Sequence, residues 1–222
     1  MNQTIMLKPE KSQYLIILLF STLLFSACTK SLTQISPVYE NNFDNDSLKG
    51  IETLGWLPSG MVGTFPYNKI TAYNNNKMLG LFNNCAVLLN FDHLPPHDNI
   101  KVEFDLYLHD NWKNDIWKLT FDGQDHLLTG FSNDSSILQS YPDWYNAGIG
   151  SPAGNQAQEI YLPGICSLKN SMRGTSRYKI INNIVHTADS FSIVISDAGG
   201  AVNDTCNRSW AIDNLKIVTL KN

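Results

Sequence analysis

The chain has 222 residues, 43% hydrophobic and 11% aromatic, enough to bury the core of one large domain or two small ones. Charged residues are only 16%, below the roughly one quarter of an average soluble domain. The formal net charge is -4 and no basic run occurs, which excludes the cationic field that nucleic-acid binding requires.

The N-terminus reads as a targeting segment. Lys8 and Lys11 give a basic start, and an apolar run from Tyr14 to Phe25 is interrupted only by Ser21 and Thr22. That run falls short of the about 20 apolar residues a membrane-spanning helix needs. The small residues Ser26 and Ala27 follow, and then Cys28. A charged start, a short apolar core and small residues at the cut predict a secretory signal peptide over residues 1–27. Phe25-Ser26-Ala27-Cys28 also resembles a bacterial lipobox. The resemblance implies cleavage before Cys28, its lipidation, and a membrane attachment through lipid chains. Thr29, where an Asp would signal retention, implies by the same resemblance the outer membrane of a Gram-negative bacterium. The leaflet it faces stays open. A polar tether over 28–38 is expected, and then one domain over 39–222.

Strand signals fill that domain. Ile100–Leu108 puts Val102, Phe104, Leu106 and Leu108 on one face and Lys101, Glu103, Asp105 and Tyr107 on the other, the period of a half-buried strand. Ser190–Ser196 alternates with Phe191, Ile193 and Ile195 inward. Cys85–Phe91, Ile116–Phe121, Arg177–Val185 and Trp210–Thr219 are further predicted strands, separated by turn signals such as Pro95-Pro96, Asp122-Gly123 and Pro163-Gly164. No helical stripe follows the signal peptide. This punctuation predicts an all-β sandwich or barrel. On the last strand the spacing puts Ala211, Asp213, Leu215 and Ile217 on one face.

An exported chain is permitted disulfides. Cys85, Cys166 and Cys206 cannot all pair within one chain. Cys166 and Cys206 stand in polar, turn-like surroundings and are the predicted pair, while Cys85 leads an apolar run and reads as a buried thiol.

From Met78 to Pro142 the motif order is specific. Leu79-Gly80-Leu81-Phe82-Asn83-Asn84 precedes a strand, Leu94-Pro95-Pro96-His97 follows it, and Glu103-Phe104-Asp105-Leu106-Tyr107-Leu108 leads to Asp110-Asn111-Trp112. With the closing Ser209-Trp210-Ala211-Ile212-Asp213-Asn214, this resembles an exported bacterial domain of concanavalin A-like, lectin/glucanase type over residues 43–219. The resemblance implies a two-sheet antiparallel jelly roll whose first and last strands pair. It implies no single activity, because a fold does not give a function.

Glucanases of this fold place their carboxylates on one strand as E-x-D-x-E. Glu103-Phe104-Asp105-Leu106 begins that pattern and ends it in Tyr107, so no nucleophile and acid pair is assembled there. No G-x-S-x-G elbow occurs. His93, His97, His109, His126 and His186 each fall on a turn or strand end and read as surface residues. A structural calcium is the expected ion: Asp44 opens the domain, and Asp213 sits on the last strand where a buried carboxylate needs hydrogen bonds or a cation. For glycans, flat aromatic rings beside amides are the required chemistry. Trp112, and Trp144 with Tyr145 in the Tyr141–Asn146 loop, have that composition, as does Trp56, whereas Trp117 and Trp210 alternate with apolar residues and read as core. The leading expectation is a membrane-anchored, non-catalytic module binding glycan or envelope polysaccharide. A structural or adhesive protein binding another envelope protein, and a polysaccharide hydrolase, are the alternatives.

Overall fold

The period-two stretches become strands in a computed structural model that describes residues 32–56, 62–64, 70–148, 150–198 and 204–222. The signal peptide and Cys28 lie outside the described residues. In chain order the strands are β1 (Gln34–Asn41), β2 (Glu52–Trp56), β3 (Val62–Thr64), β4 (Ile70–Tyr73), β5 (Asn76–Phe82), β6 (Cys85–Phe91) and β7 (Asn99–Asp110). There follow β8 (Lys113–Phe121), β9 (Gln124–Ser132), β10 (Glu159–Leu162), β11 (Thr175–Val185), β12 (Phe191–Ala198) and β13 (Arg208–Lys221). Among the described residues every regular element is a strand.

Two antiparallel sheets result. One has the order β10-β11-β7-β13-β5-β4, with β1 beside the second half of β13; the other has the order β3-β2-β6-β12-β8-β9. The first strand pairs with the last, Gln34 opposite Lys221 and Asn41 opposite Leu215. Because β1 begins at Gln34, residues 34–38 are strand rather than the expected tether. The inward faces fuse into one core. Val102, Phe104, Leu106 and Leu108 of β7 meet Ile193 and Ile195 of β12 and Trp117 and Leu119 of β8, all fully buried. Each such side chain stabilises the fold by roughly 1.5–3 kcal/mol.

The alternation on β13 breaks in the middle. Asp213 faces Asp105 of β7, but Lys216 faces Glu103, so β13 carries one extra residue there. Asn214 takes the strain with a φ of 51°. The bulge moves Leu215 and Ile217 to the same side as Trp210 and Ile212, in the core, and leaves Ala211 and Asp213 on the opposite face. The face predicted to unite Ala211, Asp213, Leu215 and Ile217 is therefore split, as a one-residue insertion must split it.

Cys166 and Cys206 form a disulfide with a Cα–Cα separation of 5.0 Å and stand 40 positions apart in the chain. In the chain-entropy account a loop of that size is worth about 4 kcal/mol. The loop is also tied by Asp110, whose buried carboxylate accepts the backbone N–H groups of Cys166 (3.2 Å) and Leu168 (2.8 Å). Cys85 is free and half-buried; its thiol donates to the Asn83 carbonyl at 3.2 Å, and burial pushes its pKa up.

One polar clasp crosses between the sheets. Asp197 occupies the last inward position of β12, where the alternation of Phe191, Ile193 and Ile195 delivers a carboxylate into the core. It accepts the indole N–H of Trp210 (2.7 Å), the backbone N–H groups of Asn84 (2.9 Å) and Cys85 (3.0 Å), and Arg208 Nη2 (3.2 Å). Arg208 is buried as well; it pairs with Asp115 of β8, donates to the Ala198 carbonyl, and lies 5.0 Å over the Trp112 ring. Removing one partner of a buried ion pair strands the other, at about 3–5 kcal/mol. Asp197→Ala should therefore lower the stability of the folded chain by about that amount, read as a fall in the denaturant midpoint with an unchanged slope.

Candidate functional site

The predicted aromatic platform does not assemble. Trp112 is wholly buried: its indole N–H donates to the Ser209 carbonyl at 2.9 Å, and its ring packs in the core. The reason is the shortness of the β7–β8 connection. Only Asn111 and Trp112 make it, and the Trp112 carbonyl is held by the Asn133 N–H (2.9 Å), which turns the side chain inward. Trp112 is thus corrected from ligand contact to core. Trp144 does stand on the surface, 47% exposed, beside a half-buried Tyr145. Their loop is pinned along β9 by Tyr145 N–H to the Leu128 carbonyl (2.8 Å) and by Thr129 Oγ1 to the Asp143 carbonyl (2.7 Å). The side chain of Trp56 lies outside the described residues.

Asp213 is buried on the outer face of its sheet, and hydrogen bonds answer it. It accepts Asn76 Nδ2 (2.6 Å), the Asn214 backbone N–H (2.7 Å) and Asn214 Nδ2 (3.2 Å). Burial raises its pKa, the Asn76 and Asn214 bonds oppose that, and the charges of Asp105 and Asp44 add to the rise. Asp44 is exposed on the loop after β1, and its carboxylate accepts Asn42 Nδ2 at 2.7 Å. Among the described residues no three His, Cys, Asp or Glu side chains gather as metal ligands. Two carboxylates also fall short of the six to eight oxygens that calcium takes. Asp105, from the incomplete E-x-D-x-E strand, faces Asp213 directly and is tied to Asn214 Nδ2 (2.8 Å), Lys179 (3.5 Å) and Arg177 (3.7 Å). Both carboxylates are covered, Asp105 at 5% exposure and Asp213 at 1%, so no sugar bond can be brought between them.

What the fold does build is a groove of about 860 Å³ where β1, the loop 42–50 and the end of β6 meet. A second groove of about 290 Å³ adjoins it and shares Gly50 and Asn90. Tyr39 and Phe91 form the aromatic floor of the 860 Å³ groove, edge to face with centroids 5.9 Å apart, both packed against the core. The loop above them is stapled. Asn41 accepts the Phe43 N–H (2.8 Å) and donates to the Ser47 carbonyl (2.9 Å), and Phe43 is driven fully into the core. Tyr39 donates its hydroxyl to the Lys49 carbonyl at 3.0 Å, and burial raises its pKa. Lys77 closes the far side on the Asp44 carbonyl (3.1 Å) and the Asp46 carboxylate (2.8 Å). Asn45, Ser47 and Asn90 are in the lining, and among the described residues their side chains have no hydrogen-bond partner; on β6 the Asn90 side chain lies on the outer face, opposite to Phe91. Glu40 is the one carboxylate in the lining. Sequence reasoning passed over these residues. The visible signal was the run Tyr39–Asp46, in which asparagines crowd around one tyrosine; nothing in the sequence joins it to Asn90 and Phe91.

The histidines divide. His93 and His126 are exposed, as predicted, but His97 and His109 are buried. His97 lies beside His186 with ring nitrogens 2.7 Å apart and planes 9° apart; with centroids at 5.0 Å the rings are side by side rather than stacked. The Thr175 hydroxyl donates to the Pro163 carbonyl (2.8 Å), so toward His109 it must accept, and His109 Nδ1 carries the proton at 2.9 Å. Among the described residues its Nε2 is then bare, buried and without a partner. Burial holds the pKa of His109 down to about 3.

No family model matches the sequence, and no curated protein is similar to it. Among solved structures, a carbohydrate-binding module specific for non-crystalline cellulose, CBM28, is similar over 84% of this chain and 95% of its own, at 14% identity and a TM-score of 0.40. The K3 cleaved adhesin domain of Lys-gingipain from Porphyromonas gingivalis is similar over 83% of this chain and 100% of its own, at 11% identity and a TM-score of 0.40. Dimeric latent PorU from Porphyromonas gingivalis is similar over 62% of this chain at 8% identity and a TM-score of 0.37, and the chain spans only 10% of its length. At such values the likeness carries no information on ligand.

His109 gives this half of the molecule an acid sensitivity. A depressed histidine pKa contributes stability above the unfolded value of 6.5 that is lost as pH falls toward about 3. In that window His109 should add about 1.4 kcal/mol of lost stability per pH unit. Denaturant titrations at several pH values should show that slope in the wild type, and His109→Phe, which keeps a ring beside Tyr73 and Tyr107, should reduce it by that amount.

Proposed function

We propose that the chain is a non-catalytic, membrane-anchored module that holds a glycan in the Tyr39–Phe91 groove. The observation that carries this is the groove's chemistry: the Tyr39 and Phe91 rings line it together with Asn45, Ser47 and Asn90, whose side chains have no partner among the described residues. Sugar rings offer an apolar face and a rim of hydroxyls, which aromatic carbons and fixed amides match. A hydrolase needs two carboxylates about 5–9.5 Å apart across the bond. With Glu40 alone in the lining, the groove supports binding without cleavage. The pairing of β1 with β13 supports reading the sandwich as a concanavalin A-like jelly roll.

In the same reading Cys28 carries the lipid, and Thr29 after it directs the protein to the outer membrane. Cys28→Ser should yield an unprocessed precursor and lose the shift of the membrane-bound form on a lipid-labelling gel. Processing equal to that of the wild type would remove the anchor from the proposal.

The ligand test is a glycan array, run with calcium and again with chelator. Asn45→Ala and Asn90→Ala should each weaken the bound glycan about tenfold, one lost hydrogen bond at roughly 1.4 kcal/mol, while Trp144→Ala should leave it unchanged. Loss confined to Trp144→Ala would move the site to the loop along β9. Binding to no glycan in either condition would defeat the sugar reading. A fall in melting temperature on chelation would support a calcium clamp at Asp44 and Asp213; an unchanged value would leave the Asn76 and Asn214 bonds as the whole account of that carboxylate.

A further inference from the structure

β1 begins at Gln34, so residues 29–33 alone separate it from Cys28. Even fully extended, the chain from Cys28 to Gln34 spans at most about 22 Å, at 3.6 Å per residue. Gln34 stands at one end of the larger sheet, opposite Lys221. β11 runs from Thr175 at the other end to Val185 at this one, about 33 Å at 3.3 Å per residue. A tether of that length keeps the Gln34 end beside whatever Cys28 is fixed in. It is too short to set the Thr175 end there instead.

The tethered end carries an apolar margin. Ile35 pairs with Leu220, Leu220 with Asn99 and Asn99 with Val185, one row across β1, β13, β7 and β11. Cross-strand partners share a face. The adjacent row, Thr219, Ile100 and Ile184, is buried on the core side, so this row lies on the outer face. Three strand spacings, about 14 Å, separate its ends. Ile35 is 63% and Val185 88% exposed, and the exposed Pro37, paired with Val218, extends the patch by one row. Farther along the same face β7 and β11 present Lys101, Glu103, Lys179 and Arg177, which confines the apolar surface to the margin. Scattered exposed apolar residues are ordinary, but a row of them where a tether enters marks a contact.

We propose that the Ile35–Leu220–Val185 margin is a membrane-contact surface, its partner the phospholipid bilayer that holds the lipid on Cys28. This rests on the lipidation of Cys28 and extends that reading from the anchor to the domain. The tether has already brought the domain to the surface, so a small apolar patch suffices where it would be too weak for a free protein. Its side chains enter the boundary between headgroups and acyl chains, as the apolar face of an interfacial helix does. The loop 42–50 follows the other end of β1, about 23 Å from Gln34 along the strand. The groove is thus held clear of the headgroups and open to ligand from the aqueous side.

Nitroxide labels test the contact. The full chain, processed and lipidated in the expressing cell, carries Cys85→Ser with one of Ile35→Cys, Val185→Cys or Met172→Cys, and is placed in vesicles of phosphatidylethanolamine and phosphatidylglycerol. Met172 is 68% exposed on the loop before Thr175, at the far end of the sheet. The Ile35→Cys and Val185→Cys labels should lose collisions with a water-soluble nickel chelate and gain collisions with oxygen, which concentrates in lipid. The Met172→Cys label should stay open to the chelate. A chain whose mass shows no lipid on Cys28 would remove the anchor and the contact together. A lipidated chain whose Val185→Cys label is as open to the chelate as its Met172→Cys label would overturn the contact and leave the anchor standing.

Discussion

The arrangement of the whole sandwich depends on one buried pair, Asp197 and Arg208. Two stacked sheets hold each other through apolar faces, and such contacts tolerate sliding. Directed hydrogen bonds do not. Asp197 binds the start of β6 through the Asn84 and Cys85 amides, and binds β13 through Trp210 and Arg208. Arg208 returns to β8 through Asp115. The longitudinal positions of β6, β8, β12 and β13 are thereby fixed against one another at a single point. This matters at the far ends of the same strands. β6 runs from Cys85 at the clasp to Asn90 and Phe91 in the groove, and β13 runs from Arg208 to Asn214, which also lines it. A slip of one residue on either strand would turn its contribution to the opposite face. The groove inherits its geometry from a salt bridge about 20 Å away, at roughly 3.3 Å per residue.

Much of the fold was legible because its signals are local. The alternation of Ile100–Leu108 and Ser190–Ser196 describes the inward faces of β7 and β12 as they stand. The failures share a cause: each depends on a partner distant in sequence. The bulge at Asn214 cannot be seen in β13 alone, because the extra residue exists only relative to Glu103 and Asp105 on β7. Trp112 carries a loop's sequence context, yet its environment is set by Ser209 and Arg208, almost a hundred positions onward. His109 likewise reads as a strand-end surface residue until Tyr73, Thr175 and Pro163 arrive to cover it.

The candidate site was legible in composition and not in place. Aromatic residues beside amides do come together in the structure, at a sheet margin and not on the loops where the sequence pointed. The search favoured tryptophans, the residues with the largest faces. In this chain those faces are also the most valuable core material, and Trp112, Trp117 and Trp210 are all fully buried. The smaller rings of Tyr39 and Phe91 remain half-buried at the sheet margin, where a ring can serve the core and a ligand at once.

Binding strength in such a groove turns on how little must be ordered when a ligand arrives. An irregular loop normally loses freedom on binding, at about 1–2 kcal/mol per residue fixed. The loop 42–50 has lost it already. Phe43 is plugged into the core, Asn41 is bonded at both ends of its amide, and Lys77 holds Asp44 and Asp46 from outside. The staples use the side chains of Asn41, Asn42 and Tyr39 and leave those of Asn45, Ser47 and Asn90 without a partner among the described residues, so the side chains that build the loop are distinct from those that can meet a ligand. The unbonded neutral groups are amides and a hydroxyl, each able to donate and accept, as are the hydroxyls of a sugar, and Glu40 and Lys49 add one charge of each sign to the lining. Each hydrogen bond is worth only about 1 kcal/mol net. Several must therefore form together over the aromatic floor, which a rigid groove permits and a loose loop does not.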